Sequence, residues 1–164
     1  MTPELRRPIL VERIGRAGLD VSVEASTTEC SALARRVNLP AVLSLTCRFR
    51  LEQETADTMI ARGHLVAEVV QTCVVSLEDF PATVDERFTV RCVPEGKESE
   101  DVDPLALDEI TYADGVLDLG EAAAEQLALA LDPYPRAPDA VLPEIEAEAD
   151  PHQFAALGAL KRQN

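Results

Sequence analysis

The chain has 164 residues, enough for one packed core and at most a small appended lobe. No stretch approaches the roughly 18 consecutive apolar residues of a membrane-spanning helix, and the first residues lack the apolar run of a secretory signal, so a cytoplasmic location is expected. The formal charge of −15 is uneven: residues 1–50 carry eight Arg against five acids, a net of +3, and the remaining seven bases against twenty-five acids give −18.

Residues 9–14 and 19–25 read as two strands joined by Gly15-Arg16-Ala17-Gly18, where glycine supplies the positive φ of a tight turn. A helix is predicted to follow over 27–37. Ser26 and Glu29 have the spacing of a capping box, in which hydroxyl and carboxylate each satisfy an orphan backbone N–H. Cys30, Leu33, Ala34 and Val37 then recur at helical spacing. Asn38 suits the left-handed position after the helix, and Pro40 forbids continuation.

Residues 41–51 alternate, with Ala41, Leu43, Leu45, Cys47, Phe49 and Leu51 predicted inward and Ser44, Thr46, Arg48 and Arg50 outward. Residues 59–72 continue the pattern through Met59, Ala61, Leu65, Ala67 and Val69. Residues 83–93 do so through Val84, Phe88, Val90 and Cys92. Three long strands in series imply an antiparallel meander with one wet face.

Residues 94–109 break the alternation with a run of acids, the signature of a solvated loop. Residues 110–112 and 116–117 are expected to form a return hairpin about Asp114-Gly115. Asp118 and Glu121 have the spacing of a second capping box, opening a helix over 119–131 that Pro133 ends. Residues 136–149 are acidic and read as extended. Asp150-Pro151 starts a last short helix with Phe154, Leu157 and Leu160 on one face. The expected fold is therefore α+β: a curved antiparallel sheet, open or closed into a barrel, with two packed helices and a short C-terminal helix. Residues 1–132 form the domain, and 133–164 the extended acidic segment with its helix.

No motif for catalysis competes with the charge signal. His64 and His152 lack ligand-spaced neighbours, and there is no phosphate-binding loop, dinucleotide fingerprint or nucleophile elbow. Cys30, Cys47, Cys73 and Cys92 are too widely spaced for a zinc ribbon and read as reduced thiols serving as small apolar side chains. Glu95, Glu98, Glu100, Asp101 and Asp103 lack the order of a calcium loop and are candidates for contact with a basic partner. Arg35, Arg36, Arg48 and Arg50 are the candidate RNA contacts, against the alternative of self-paired surface arginines. Phe49 and Phe88 fall on inward faces, so the exposed rings that stack RNA bases are not expected.

Three segments together resemble one known family: Gln71-Thr72-Cys73-Val74-Val75-Ser76-Leu77-Glu78-Asp79-Phe80; Asp118-Leu119-Gly120-Glu121 through Asp132-Pro133-Tyr134-Pro135; and Asp150-Pro151 through Leu160-Lys161. In this order they are similar to the bacterial YceD family in its alphaproteobacterial form. The resemblance implies a non-enzymatic factor in accumulation of large-subunit ribosomal RNA. On that reading the expected partner is a basic large-subunit ribosomal protein or an assembly intermediate. The rival readings of this chain are a direct rRNA-binding protein acting through its Arg-rich first third and, remotely, a metal-dependent hydrolase. Many members carry a Cys-x-x-Cys pair where this chain has Cys73 and Ser76, and some carry further Cys where this chain has residues 133–138 without one. One thiol does not hold zinc, so neither a cofactor nor a small-molecule substrate is expected.

Overall fold

The computed structural model describes residues 3–100 and 103–142. Its elements in chain order are β1 (Pro8–Leu10), a 3-10 turn (Val11–Arg13), β2 (Leu19–Glu24), α1 (Thr27–Arg36), β3 (Ala41–Gln53), β4 (Met59–Thr72), β5 (Asp79–Pro94), β6 (Asp108–Tyr112), β7 (Val116–Asp118) and α2 (Leu119–Ala130). The last predicted helix lies outside the described residues.

The α+β class holds. Five strands form one sheet in the order β2-β3-β4-β5-β6, and β1 pairs with β7 in a second, two-stranded sheet. The five-stranded sheet is open, ending at β2 and β6, so closure into a barrel does not occur. The meander is antiparallel from β2 to β5, but β6 pairs with β5 in parallel, Val90 opposite Asp108 through Pro94 opposite Tyr112. A parallel neighbour needs a crossover of about a dozen residues, and the acidic segment 95–107 is that crossover. Its described residues are exposed and turn at Pro94–Lys97 and again at Asp103–Ala106, each turn closed by a 3.0 Å backbone hydrogen bond.

Inward residues of the long strands, Leu45, Cys47, Phe49, Leu65, Ala67, Val69 and Val90, share one buried cluster with Cys30 and Leu33 of α1 and Ala123 and Leu127 of α2. Both helices therefore cover the same face of the sheet, and no described helix covers the other. Each fully buried leucine contributes roughly 1.5–3 kcal/mol by leaving water.

Helix α1 forms as its sequence dictates. The Ser26 hydroxyl accepts from the Glu29 N–H, and the Glu29 carboxylate accepts from the Ser26 N–H. At its other end Asn38 takes a φ of 55°, and the Leu39 N–H reaches the Ala34 carbonyl at 2.9 Å. That bond from two positions past the cap satisfies a carbonyl the helix leaves orphaned.

Four expectations change. A β-bulge between Val42 and Ser44 reverses the alternation at the start of β3, so Val42 is buried and Leu43 is 63% exposed; a bulge adds one residue and so exchanges the faces. Residues 11–13 are a 3-10 turn, and β1 pairs with β7 instead of β2, although the turn at Gly15–Gly18 forms. The Asp114-Gly115 turn also forms, with both residues at positive φ, but only the Ala113–Val116 bridge joins its arms, which belong to different sheets. Finally, Asp118 caps α2 through the N–H groups of Gly120 and Glu121, while the Glu121 carboxylate pairs with Arg36 in place of closing a capping box.

Candidate functional site

On the bare face of the sheet, the antiparallel register sets Ser22, Arg48, His64 and Arg87 side by side across β2, β3, β4 and β5. The next row along holds Asp20, Arg50, Arg62 and Thr89. Alternation sends these side chains away from the core because their neighbours Cys47, Phe49, Ala61 and Leu65 point inward. Four arginines and His64 thus converge on a shallow depression of about 480 Å³, with Asp20 the one carboxylate among its lining residues.

Ion pairs and hydrogen bonds divide these side chains. Arg50 meets Asp20 at 2.9 Å, Arg62 meets Glu52, and His64 Nε2 lies 2.7 Å from Asp85 Oδ1. Arg48 and Arg87 are exposed and have no ion pair among the described residues. Of the sequence candidates, Arg48 and Arg50 therefore come together, joined by Arg62, His64 and Arg87. Sequence reasoning missed Arg62 and Arg87. The outward parity of the 59–72 and 83–93 strands carries both, but it becomes a site only once the strand register is known.

Arg35 and Arg36 do not belong to this site. They end α1, on the covered side of the sheet. Arg36 is held by Glu121 at 2.5 and 2.8 Å and by Glu4 at 3.0 Å, so its guanidinium is raised above its usual range, the Glu121 hydrogen bonds being the main cause. Arg35 is exposed and unpaired among the described residues.

The acidic candidates lie on the crossover. Glu95, Glu98, Glu100 and Asp103 are exposed and form no ion pair among the described residues. Asp101 lies outside the described residues. Nearby Lys97 meets Asp57 at 2.5 Å, and Glu109 accepts from the Ser99 N–H.

The cysteines separate into two kinds. Cys30, Cys47 and Cys92 are core residues; burial raises the Cys30 thiol and pushes those of Cys47 and Cys92 up to about 12. Cys73 sits in the turn after β4, where its sulfur accepts from the N–H groups of Val75 and Ser76 at 3.4 Å and of Ala137 at 3.3 Å. The Ser76 hydroxyl and these N–H groups lower its thiol to about 7. The structure thus brings Cys73, Ser76 and the 133–138 stretch together, with one thiol among them. No group of three His, Cys, Asp or Glu with metal-ligating geometry occurs among the described residues.

At the other end of α1, the Arg7 guanidinium meets Glu29 at 2.8 and 3.0 Å and, with the Ser26 N–H, holds the Glu29 carboxyl down to about 2. The Arg7 backbone N–H donates to Asp118 at 2.8 Å. These contacts pin the N-terminal segment across the starts of both helices and are structural in effect.

The molecule is thus an open-sheet α+β domain with one face covered by two helices and the other, uncovered by any described helix, bearing a ridge of arginines within an acidic chain. The model of the family described as large ribosomal RNA subunit accumulation protein YceD matches residues 61–161, and this chain belongs to that family. The matched span takes in Arg62, His64 and Arg87, and leaves Arg48 and Arg50 before it. The family is a ribosome-related accessory family, and its description points to a role in accumulation of large-subunit RNA. No curated protein matches this chain, and no solved structure does. No described helix is long and apolar enough to cross a membrane.

Proposed function

We propose that the protein promotes accumulation of large-subunit RNA by binding, with no reaction of its own, and that its acidic surface holds a small basic large-subunit ribosomal protein until rRNA takes it over. The observation that carries this reading is the row of acids on the β5–β6 crossover, Glu95, Glu98, Glu100 and Asp103, exposed and without an ion pair among the described residues, on a chain of net charge −15. Opposite charges across such an interface speed encounter and set partner choice more than they add affinity. The attraction is screened over about 8 Å at physiological salt, so binding of this kind is fast and salt-sensitive. The cytoplasm, where ribosomes assemble, is the expected location.

The test is retention of ribosomal protein by the purified chain from nuclease-treated extract at rising salt. The wild-type chain is expected to keep a small basic large-subunit protein at low salt and release it as salt rises. Replacing the four acids together by Gln and Asn is expected to abolish retention. Affinity that stays flat from low to high salt defeats the mechanism.

A further inference from the structure

The sheet face that no described helix covers carries a cluster of arginines that acidic docking does not use. We infer that the depression between Arg48, Arg62, His64 and Arg87 is a binding site for the phosphodiester backbone of RNA.

Only some of its cations are free. Arg50 and Arg62 are partly committed to Asp20 and Glu52, and His64 faces Asp85. Arg48 and Arg87 flank His64 in one cross-strand row and have no carboxylate partner among the described residues. Two strand spacings separate them, about 10 Å, so their forks frame the depression from opposite sides. A guanidinium fork matches the oxygens of a phosphate and is the side chain of choice for it. Arg13, Arg16, Arg35 and Arg136 are also exposed and without an ion pair among the described residues; Arg48 and Arg87 differ from them in lining one depression together with two further arginines.

The same face shows which part of RNA it takes. Base reading needs exposed rings for stacking. Phe49 and Phe88 instead pack edge to face at 5.8 Å on the covered side of the sheet. No Phe or Tyr lies on the outward positions of β2 to β5. The contact is therefore with backbone charge and carries no sequence preference of its own. Asp20, Glu52 and Asp85, paired with residues of the site, offset part of its charge, whereas acids farther than about 8 Å are largely screened at physiological salt. Two free arginines and two shared ones give a modest, salt-dependent affinity, enough to keep a bound partner near the RNA.

The experiment measures binding of the full chain to labelled RNA of mixed sequence, single-stranded in one arm and duplex in the other, with no ribosomal protein present. Binding in either arm that falls about tenfold in the Arg48→Ala/Arg87→Ala variant supports the site. The salt slope for a single strand is expected to be shallower by about 1.4, since each of the two phosphates set free accounts for about 0.7. The control is Arg35→Ala/Arg136→Ala, which removes the same charge from exposed, unpaired positions outside the site and is expected to bind like wild type. Urea midpoints equal to wild type show that both variants fold. Absence of RNA binding by the wild-type chain, or equal weakening in both variants, overturns the inference. Tighter binding of poly-glutamate than of RNA, abolished in the same variant, overturns the RNA assignment in favour of an acidic protein. Because no protein partner is present, none of these outcomes bears on the acidic crossover.

Discussion

The Arg36 guanidinium donates two hydrogen bonds to the Glu121 carboxylate, at 2.5 and 2.8 Å, and so ties the last turn of α1 to the first turn of α2 across 85 positions of sequence. A third bond, to Glu4 at 3.0 Å, adds the N-terminal segment to the clasp. Each end of the pair also suits its helix, because a cation near a C-terminus and an anion near an N-terminus complement the helix dipole. An arginine that reads in sequence as a candidate RNA contact is thus occupied by the fold.

Arg36→Ala is expected to lower stability by about 1 kcal/mol, the upper end for exposed pairs because the geometry is two-pronged. RNA affinity is expected to change far less than in Arg48→Ala, since Arg36 stands on the covered side of the sheet. Urea unfolding and an RNA titration on the same two variants separate the effects. Arg36→Ala losing RNA binding at unchanged stability contradicts the assignment.

Gly120→Ala is expected to destabilise the protein although it places alanine in a helix. Alanine is favoured over glycine there by about 1 kcal/mol. A Cβ at this position, however, falls 2.6 Å from the Leu5 carbonyl oxygen and 2.8 Å from the Arg7 nitrogen, both backbone atoms that have nowhere to swing. Overpacking of this kind costs about 1–3 kcal/mol, so the net change is a loss of about 1 kcal/mol, with the 5–7 segment lifting from α2. A rise in the urea midpoint shows that the segment yields freely.

Cys73 is expected to make stability depend on pH in the alkaline direction. Its folded thiol lies at about 7, below the value of 9.0 for an unperturbed cysteine, because the Ser76 hydroxyl and the N–H groups of Ser76, Ala137 and Val75 favour the thiolate. A depressed value means that the stabilisation is complete above about pH 9 and is lost as pH falls through about 7. The difference in urea midpoint between the wild-type chain and Cys73→Ser is therefore expected to widen from about pH 6.5 to about pH 9. A difference that stays constant over that range shows that the sulfur is held as the neutral thiol.

Local and distant features fared differently for a physical reason. Ser26, Glu29 and Asn38 form the start and stop of α1 as their spacing requires, because capping groups reach only across one turn. The inward residues of β4, from Met59 to Val69, are buried where their alternation puts them. Leu43 fails the same rule, since one bulged residue near it exchanges faces and nothing in its immediate neighbours marks the bulge. The strands on either side of Asp114-Gly115 depart from expectation as well: the turn is local, but its arms pair with strands distant in sequence, β6 with the edge strand β5 of the large sheet and β7 with β1 in a separate sheet.

Composition and spacing were enough to establish an acidic α+β chain with a capped first helix and a three-strand meander, because those properties reside in neighbouring residues; the resemblance to a ribosome-related family rested on the likeness of three segments to that family's sequences. The arginine ridge was not accessible that way. Arg48, Arg62 and Arg87 stand on three different strands, and strand register brought them to one face. Arg36, of the same residue type, went to an ion pair with Glu121. Which arginines remain free is a matter of distance in space, and a one-dimensional pattern holds no distances beyond a few residues.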